Sequence, residues 1–260
     1  LQLLSDTNYT HVAYVYGEVK QFDVNIFDID SDHPEGWGTI IVASMRLGGG
    51  DYSINNPETG SSQTLTSSYI ILDVTNPDKE PTLIAEISHA DLGFSSSKVD
   101  IVKYRKVGSG GTFKDSGAIN KWYLTFGSGP SGANALTDMV SDQEAKIYLF
   151  DLVNKNLLSP QTTGRTSSFV GSVNAMDWNR DYKEDILYFG TVAGTVSSPG
   201  GTLERQALDL TTTTIFSGSN SKVLDVDKPF SITPLTTIGT NSESWIFAGT
   251  GRLFVTDDGD

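Results

Sequence analysis

Asp177-Trp-Asn-Arg-Asp-Tyr-Lys-Glu-Asp-Ile-Leu-Tyr-Phe-Gly190 holds two messages in one stretch. Its second half, Ile186 to Gly190, is a β-branched and aromatic run closing on glycine, which reads as a strand. Ser167 to Met176, on the other side, lacks the apolar spacing of a helix. The loop between them therefore joins two strands. It places oxygen-bearing side chains at its first, third, fifth and ninth positions: Asp177, Asn179, Asp181 and Asp185. Calcium takes six to eight oxygen ligands with flexible geometry, and such a loop supplies most of that shell once the carbonyl of Lys183 is added. The sixth position, where a turn of this kind favours glycine, holds Tyr182. The alternative reading of the loop is an acidic surface turn.

The strand that ends at Gly190 has relatives along the chain. Aromatic-led or aliphatic runs closing on small residues occur at Trp37 to Ser44, Trp122 to Gly127, Ile186 to Gly190 and Trp245 to Gly249, their last residues 83, 63 and 59 positions apart. Between them falls a second pattern, an apolar run ending in Asp and an aliphatic residue: Tyr69 to Val74, Ile147 to Leu152 and Gln206 to Leu210. A fourth copy of the second pattern is expected at or past Val255-Thr-Asp257. Two patterns alternating in fixed order, at a period near 60 residues of strand and turn, predict an all-β modified β-propeller. About four blade-like, four-stranded antiparallel sheets of a larger ring are expected, near residues 10–90, 98–155, 165–215 and 220–260. A β-sandwich with irregular hairpins is the competing architecture. The long first interval is read as a surface-loop insertion, Gly48 to Ser67, rich in Gly, Ser and Asn.

Composition agrees. The 260 residues include 26 Gly, 10% aromatics and only 19% charged side chains, the profile of strands punctuated by turns. The formal net charge of -14 argues against a nucleic-acid or anionic-membrane partner. With no Cys there are no disulfides or thiolate metal sites. No apolar run is long enough to span a membrane. Leu1 to Leu4 lacks the features of a signal peptide, so the sequence reads as a fragment.

Other chemistry is weaker. Gly127-Ser-Gly-Pro-Ser-Gly132 fits a dinucleotide fingerprint, with Asp151 about 20 residues on and Ala133 to Glu144 able to pass for the helix. Asp73 and Asp209 end equivalent strands without such glycines, so Asp151 is assigned to the blade pattern and no cofactor is expected. Asp28-Ile-Asp-Ser-Asp-His-Pro-Glu35 alternates carboxylates and could hold a second cation, but is read as a solvated acidic loop. His11, His33 and His89 are isolated and read as structural or surface residues. No Gly-x-Ser-x-Gly elbow or Walker pattern occurs. The four Trp, mostly at strand starts, read as blade packing, with sugar stacking by one of them as the weaker alternative. Thr256 to Asp260 reads as a frayed end.

Taken jointly, the landmarks resemble those of the carboxy-terminal propeller of the PilY family, calcium-binding adhesins of bacterial type IV pilus tips. They are His11-Val-Ala-Tyr-Val-Tyr-Gly17, Trp37-Gly-Thr-Ile-Ile-Val42, Leu47-Gly-Gly-Gly50, Tyr69 to Pro77, Asp91-Leu-Gly-Phe-Ser-Ser-Ser97, Phe126-Gly-Ser-Gly129, the Asp177 to Asp185 loop and Phe247-Ala-Gly-Thr-Gly-Arg252. The resemblance implies a modified propeller exported through periplasm and outer membrane to the cell surface or pilus tip. It implies no enzyme activity and roles in pilus biogenesis, retraction control, adhesion or twitching. Pilins or minor pilins, and a host surface, are the implied partners. It implies Ca2+ held by Asp177, Asn179, Asp181, the Lys183 carbonyl and Asp185. The sequence departs from the family at Tyr182, where loop glycine is usual, and at Tyr16, where Asp is frequent; it has no Arg-Gly-Asp tripeptide. The family's early blades and amino-terminal region are not in this sequence. Rival expectations are a quinone-dependent propeller dehydrogenase, which needs ligands converging on the ring axis, and an integrin-like or lectin-like propeller, marked by a calcium loop in every blade.

Overall fold

A computed structural model describes residues 14–50, 52–55, 60–195, 197–241 and 243–252. Its first sheet is β1 (Val19–Asn25), β2 (Trp37–Ser44), β5 (Tyr69–Asp73) and β6 (Thr82–Ile87) in that order, antiparallel throughout. Between β2 and β5 lies the hairpin β3 (Tyr52–Asn55) and β4 (Ser62–Leu65). This corrects the expectation of a plain surface loop at Gly48 to Ser67: the Ser-Ile and Gln-Thr alternation around the turn pairs as strands. The second sheet is β7 (Asp100–Lys106), β8 (Ile119–Gly127), β9 (Lys146–Asp151) and the two-residue β10 (Asn156–Leu157); β11 (Gln161–Thr162) also pairs with β9. The third is β12 (Ser168–Met176), β13 (Ile186–Gly194), β15 (Thr202–Leu208) and β16 (Phe216–Asp225), with the short β14 (Pro199–Gly200) against β13. A final pair, β17 (Leu235–Ile238) and β18 (Ser244–Phe247), follows. The chain is all-β, with successive meander sheets as in propeller blades.

The two sequence patterns map onto fixed strands of these sheets. The first is the second strand of each (β2, β8, β13, β18), and the second is the third strand (β5, β9, β15). The closing small residue is small for a packing reason. A Cβ on Gly127 would lie 2.1 Å from Val170 Cβ in the next sheet, and one on Gly190 would lie 2.3 Å from the Phe230 carbonyl oxygen. Neither distance leaves room for a side chain, because the chain that follows crosses there.

The Asp that ends the second pattern folds the corner to the fourth strand. Asp73 Oδ1 accepts the Thr75 amide and hydroxyl at 2.9 and 2.6 Å. Asp151 Oδ1 accepts the amides of Val153 and Asn154, both at 2.9 Å. Asp209 Oδ1 accepts the Thr211 amide at 2.9 Å and its hydroxyl. These are Asx turns, in which a carboxylate stands in for the ladder where the chain reverses.

The core lies between sheets. Val24, Ile40, Ile71, Leu124, Phe126 and Tyr148 pack the first sheet on the second. Val102, Leu149, Val173, Leu187 and Phe189 pack the second on the third. The middle sheet is thus covered on both faces, which is why β8 reads as a continuous apolar run and not an alternating one. Phe126 stacks on Tyr148 with centroids 5.4 Å apart, and Trp37 meets Trp122 edge-on at 5.8 Å. Arg105 lies over the rings of Trp37 and Phe113 at 4.4 and 3.8 Å, sealing the same seam. At the start of β7, Asp100 takes the Ala175 amide of β12 at 2.9 Å and pairs with Lys20 of β1 at 3.5 Å. One carboxylate so ties the first strands of three sheets.

The tryptophan expectation holds for Trp37 and Trp122 only. Trp178 and Trp245 are 48% and 55% exposed, the former because it lies on a loop and not at a strand start.

The corners give the molecule an acid dependence. Hydrogen bonds from the Thr211 hydroxyl and amide hold the Asp209 carboxyl below its ordinary range. Burial works to raise Asp73, but the Thr75 donors and His33 outweigh it and leave that carboxyl lowered too. A carboxyl depressed in the folded state stabilises fully above its unfolded pKa, about 3.9 for Asp, and that stability is lost as pH falls through the folded value. The thermal midpoint is therefore expected to drop steeply below about pH 4, and less steeply in Thr211→Val. Parallel pH profiles for the two proteins would show the corner to be irrelevant.

Candidate metal centre

The Asp177–Asp185 loop connects β12 to β13, as two flanking strands require, and its hydrogen bonds turn it inward. Asp177 accepts the Asp181 amide on Oδ1 at 3.1 Å and the Tyr182 amide on Oδ2 at 2.8 Å. Asn179 Oδ1 accepts the same Asp181 amide at 3.0 Å, and Asp181 Oδ1 accepts the Lys183 amide at 3.1 Å. Asp185 Oδ2 closes the ring by accepting the Trp178 amide at 3.1 Å. Tyr182 adopts φ of 66°, the left-handed conformation that the sixth position demands and that glycine would ordinarily supply. Arg180 does likewise, at 62°. Tyr182 is 71% exposed, so the turn is reached without burying its side chain.

The far half of the loop is pinned to the neighbouring sheet. The Arg105 amide donates to the Tyr182 carbonyl at 3.0 Å, and the Glu184 amide to the Lys103 carbonyl at 3.1 Å. The buried Glu184 side chain accepts the Lys103 amide at 3.0 Å and Nζ at 3.1 Å. Burial pushes the Glu184 carboxyl up against the pull of Lys103, and the charge of Asp177 adds to that rise. The bonds to β7 employ the Tyr182 carbonyl and leave the Lys183 carbonyl out.

The donor set fits a hard cation. Each Asp177 oxygen accepts one N–H and keeps a further lone pair, and the other donors are carboxylate, amide and carbonyl oxygens. Among the described residues, no three His, Cys, Asp or Glu side chains are gathered closely enough to hold a metal by themselves. The Asn179 amide and Lys183 carbonyl stand outside that set. Charge inside the loop is countered by Lys183, whose Nζ lies 3.5 Å from Asp185 and 3.9 Å from Asp181. That ammonium competes with any bound cation. Lys183→Gln keeps the main-chain carbonyl and removes the competitor; an exposed pair is worth about 0.2–1 kcal/mol. Calcium affinity in this variant is expected to rise by up to roughly fivefold, and weaker binding in a calorimetric titration would show that the lysine supports the loop instead.

The second acidic segment is differently built. Asp30 Oδ1 accepts the amides of Asp32 and His33 at 2.8 and 2.7 Å, and Asp32 pairs with Lys79 and Asn76. His33 sits between Asp30 and Asp73, 3.0 Å from each, and stacks on Phe27. The Asp30 and Asp32 carboxylates thus serve protein donors. His89 accepts the Asp91 amide on Nδ1 at 3.1 Å at the edge of a cleft of about 770 Å³. His11, Leu1 to Leu4, Val255-Thr-Asp257 and Thr256 to Asp260 lie outside the described residues. The glycine fingerprint leads from β8 into a single helical turn, α1 (Ala135–Asp138), not a helix over Ala133 to Glu144, and then into antiparallel β9. That arrangement lacks the parallel crossover a dinucleotide site is built on.

Sequence reading missed the buried ion pair behind the third sheet. Glu204, 0% exposed, receives Arg165 Nε at 2.7 Å and Asn220 Nδ2 at 2.9 Å. Its only trace in the sequence is an acidic residue on the face of β15 that otherwise carries Thr202, Gln206 and Leu208.

No family model matches the chain, and no curated protein matches it. Among solved structures, the chain is similar to the C-terminal domain of PilY1 from Pseudomonas aeruginosa, with a TM-score of 0.59 and 19% sequence identity. The likeness covers 95% of this chain and 46% of that one, so the chain spans under half of that structure's length. At this identity the likeness is one of fold, the PilY1-type propeller architecture that the landmark residues also resemble.

Proposed function

We propose that the chain is a non-enzymatic, calcium-binding surface module of the type IV pilus apparatus, part of a PilY-like pilus-tip protein acting in pilus biogenesis, retraction control and adhesion. The observation that carries the reading is the Asp177–Asp185 loop, already wound around its own carboxylates with Tyr182 in the left-handed turn. The PilY1-type fold supports the pilus context. Asp177, Asn179, Asp181, Asp185 and the Lys183 carbonyl would hold the ion. Calcium supplies the positive charge that offsets the mutual repulsion of three aspartates. The protein's own part is positional: β12 and β13 fix the loop ends, while β7 fixes its far half through Lys103 and Arg105. The ordered corner then offers a fixed surface to pilins, minor pilins or a host surface outside the cell. Calorimetric titration with calcium tests the reading. One site is expected, with a dissociation constant of roughly 10⁻⁴–10⁻³ M, the span of extracellular modules; no saturable uptake at millimolar calcium would remove the reading.

A further inference from the structure

We propose that the recess beside Trp178 is a binding site for a carboxylated sugar, with the carboxylate on Arg180 and the ring against the indole. The recess, about 520 Å³, lies between the Asp177–Asp185 loop and the β17–β18 turn, lined by Trp178, Asn179, Arg180, Ile238, Gly239 and Thr240. That volume falls within the range of small-molecule sites. Three features of the lining define what it accepts.

The first is charge. The chain has 32 acidic and 18 basic side chains, and among the described residues Lys20, Lys79, Lys98, Lys103, Lys146, Lys183, Lys222 and Arg165 all form ion pairs. Arg46, Arg105 and Arg205 are in none of these pairs, but the first two lie over aromatic rings and the third donates to Ser221. Arg180 is in none either and lines the recess, although two aspartates of its own loop, Asp177 and Asp181, stand close by in sequence. Asp177 is committed to the amides of Asp181 and Tyr182. Asp181 is committed to the Lys183 amide, the Asn179 side chain and Lys183 Nζ. The guanidinium is left to an outside anion, and its planar fork matches a carboxylate.

The second feature is the indole. Trp178 is 48% exposed, while its main-chain amide is held by Asp185, so a fixed backbone presents a free aromatic face. Such a face takes the apolar C–H side of a pyranose ring. The third is the small polar complement: the Thr240 hydroxyl and the indole N–H can meet ring hydroxyls, whereas the Asn179 side chain is turned inward to Asp181. A carboxylated sugar carries the anion, the apolar face and the hydroxyls on one rigid frame. Calcium is not required for this site, since the loop's own hydrogen bonds place both Trp178 and Arg180.

The test uses the whole chain in calcium-containing buffer, titrated with methyl glucuronide, with methyl glucoside and acetyl-aspartyl amide as comparisons, read by saturation-transfer NMR and tryptophan fluorescence. Methyl glucuronide is expected to bind saturably and methyl glucoside roughly tenfold more weakly, the worth of one charge-assisted contact. Arg180→Asn, which tolerates the left-handed backbone, is expected to remove that difference. Trp178→Ala is expected to abolish binding of both sugars, with Trp178→Phe restoring part of it and unfolding midpoints unchanged. Glucuronide binding that is absent, or unaltered in both variants, overturns the proposal; tighter binding of acetyl-aspartyl amide overturns it in favour of an acidic peptide.

Discussion

Asp181→Ala is expected to abolish saturable calcium uptake while leaving the sheets folded. Asp181 stands at the fifth position of the loop, where its Oδ1 accepts the Lys183 amide and its Oδ2 meets the Asn179 side chain and Lys183 Nζ. Removing it would take away a proposed ligand and the bond that orients the carbonyl-bearing residue. Stability without calcium should change by less than about 1 kcal/mol, as for an exposed polar contact. Two measurements separate ligand loss from unfolding: calcium calorimetry, and terbium luminescence sensitised by the adjacent Trp178 and Tyr182. Both signals are expected to vanish in the variant, and an unchanged calcium isotherm would refute the assignment of this loop.

Glu204→Ala is expected to destabilise the chain by roughly 3 kcal/mol, the cost of leaving one member of a buried pair behind. The carboxylate is fully buried, whereas the Arg165 side chain is 33% exposed, which moderates the cost by letting water reach the orphaned guanidinium. The loss is also felt at Asn220, which donates to the second oxygen. Arg165 lies in the link from β11 to β12 and Asn220 on β16, so one carboxylate joins the linker to the outer strands of the third sheet. For a chain of this size the thermal midpoint should fall by roughly 6–12 °C. Glu204→Gln keeps the shape and one donor–acceptor match, and should lose less than half as much. Equal midpoints for the wild type and Glu204→Ala in thermal melts would show the pair to be energetically silent.

Legibility follows the range of the interactions. The closing residues Gly127 and Gly190 and the corner aspartates Asp73, Asp151 and Asp209 are readable because each answers a demand repeated from sheet to sheet, a close crossing or a chain reversal. The Asp177–Asp185 loop is readable for the same reason, since alternate oxygens are a local pattern. The β3–β4 hairpin is not, because its Gly- and Ser-rich segment has weak strand propensity and pairs only where its two halves meet. Trp178 reads in sequence as packing, like the other tryptophans; nothing in its neighbours tells that its ring faces outward.

By itself the sequence determined the alternation of two strand patterns, the antiparallel all-β class and which oxygens share the Asp177–Asp185 turn, since these depend on residues near one another in the chain. Only the tertiary structure decided that Glu204 is paired across 39 positions with Arg165, that Asp100 ties three sheets together, and that no ion pair among the described residues reaches Arg180 beside its exposed indole. Those outcomes depend on which faces the stacked sheets bring together, and side-chain burial between sheets leaves no periodic mark that distinguishes a paired charge from a free one.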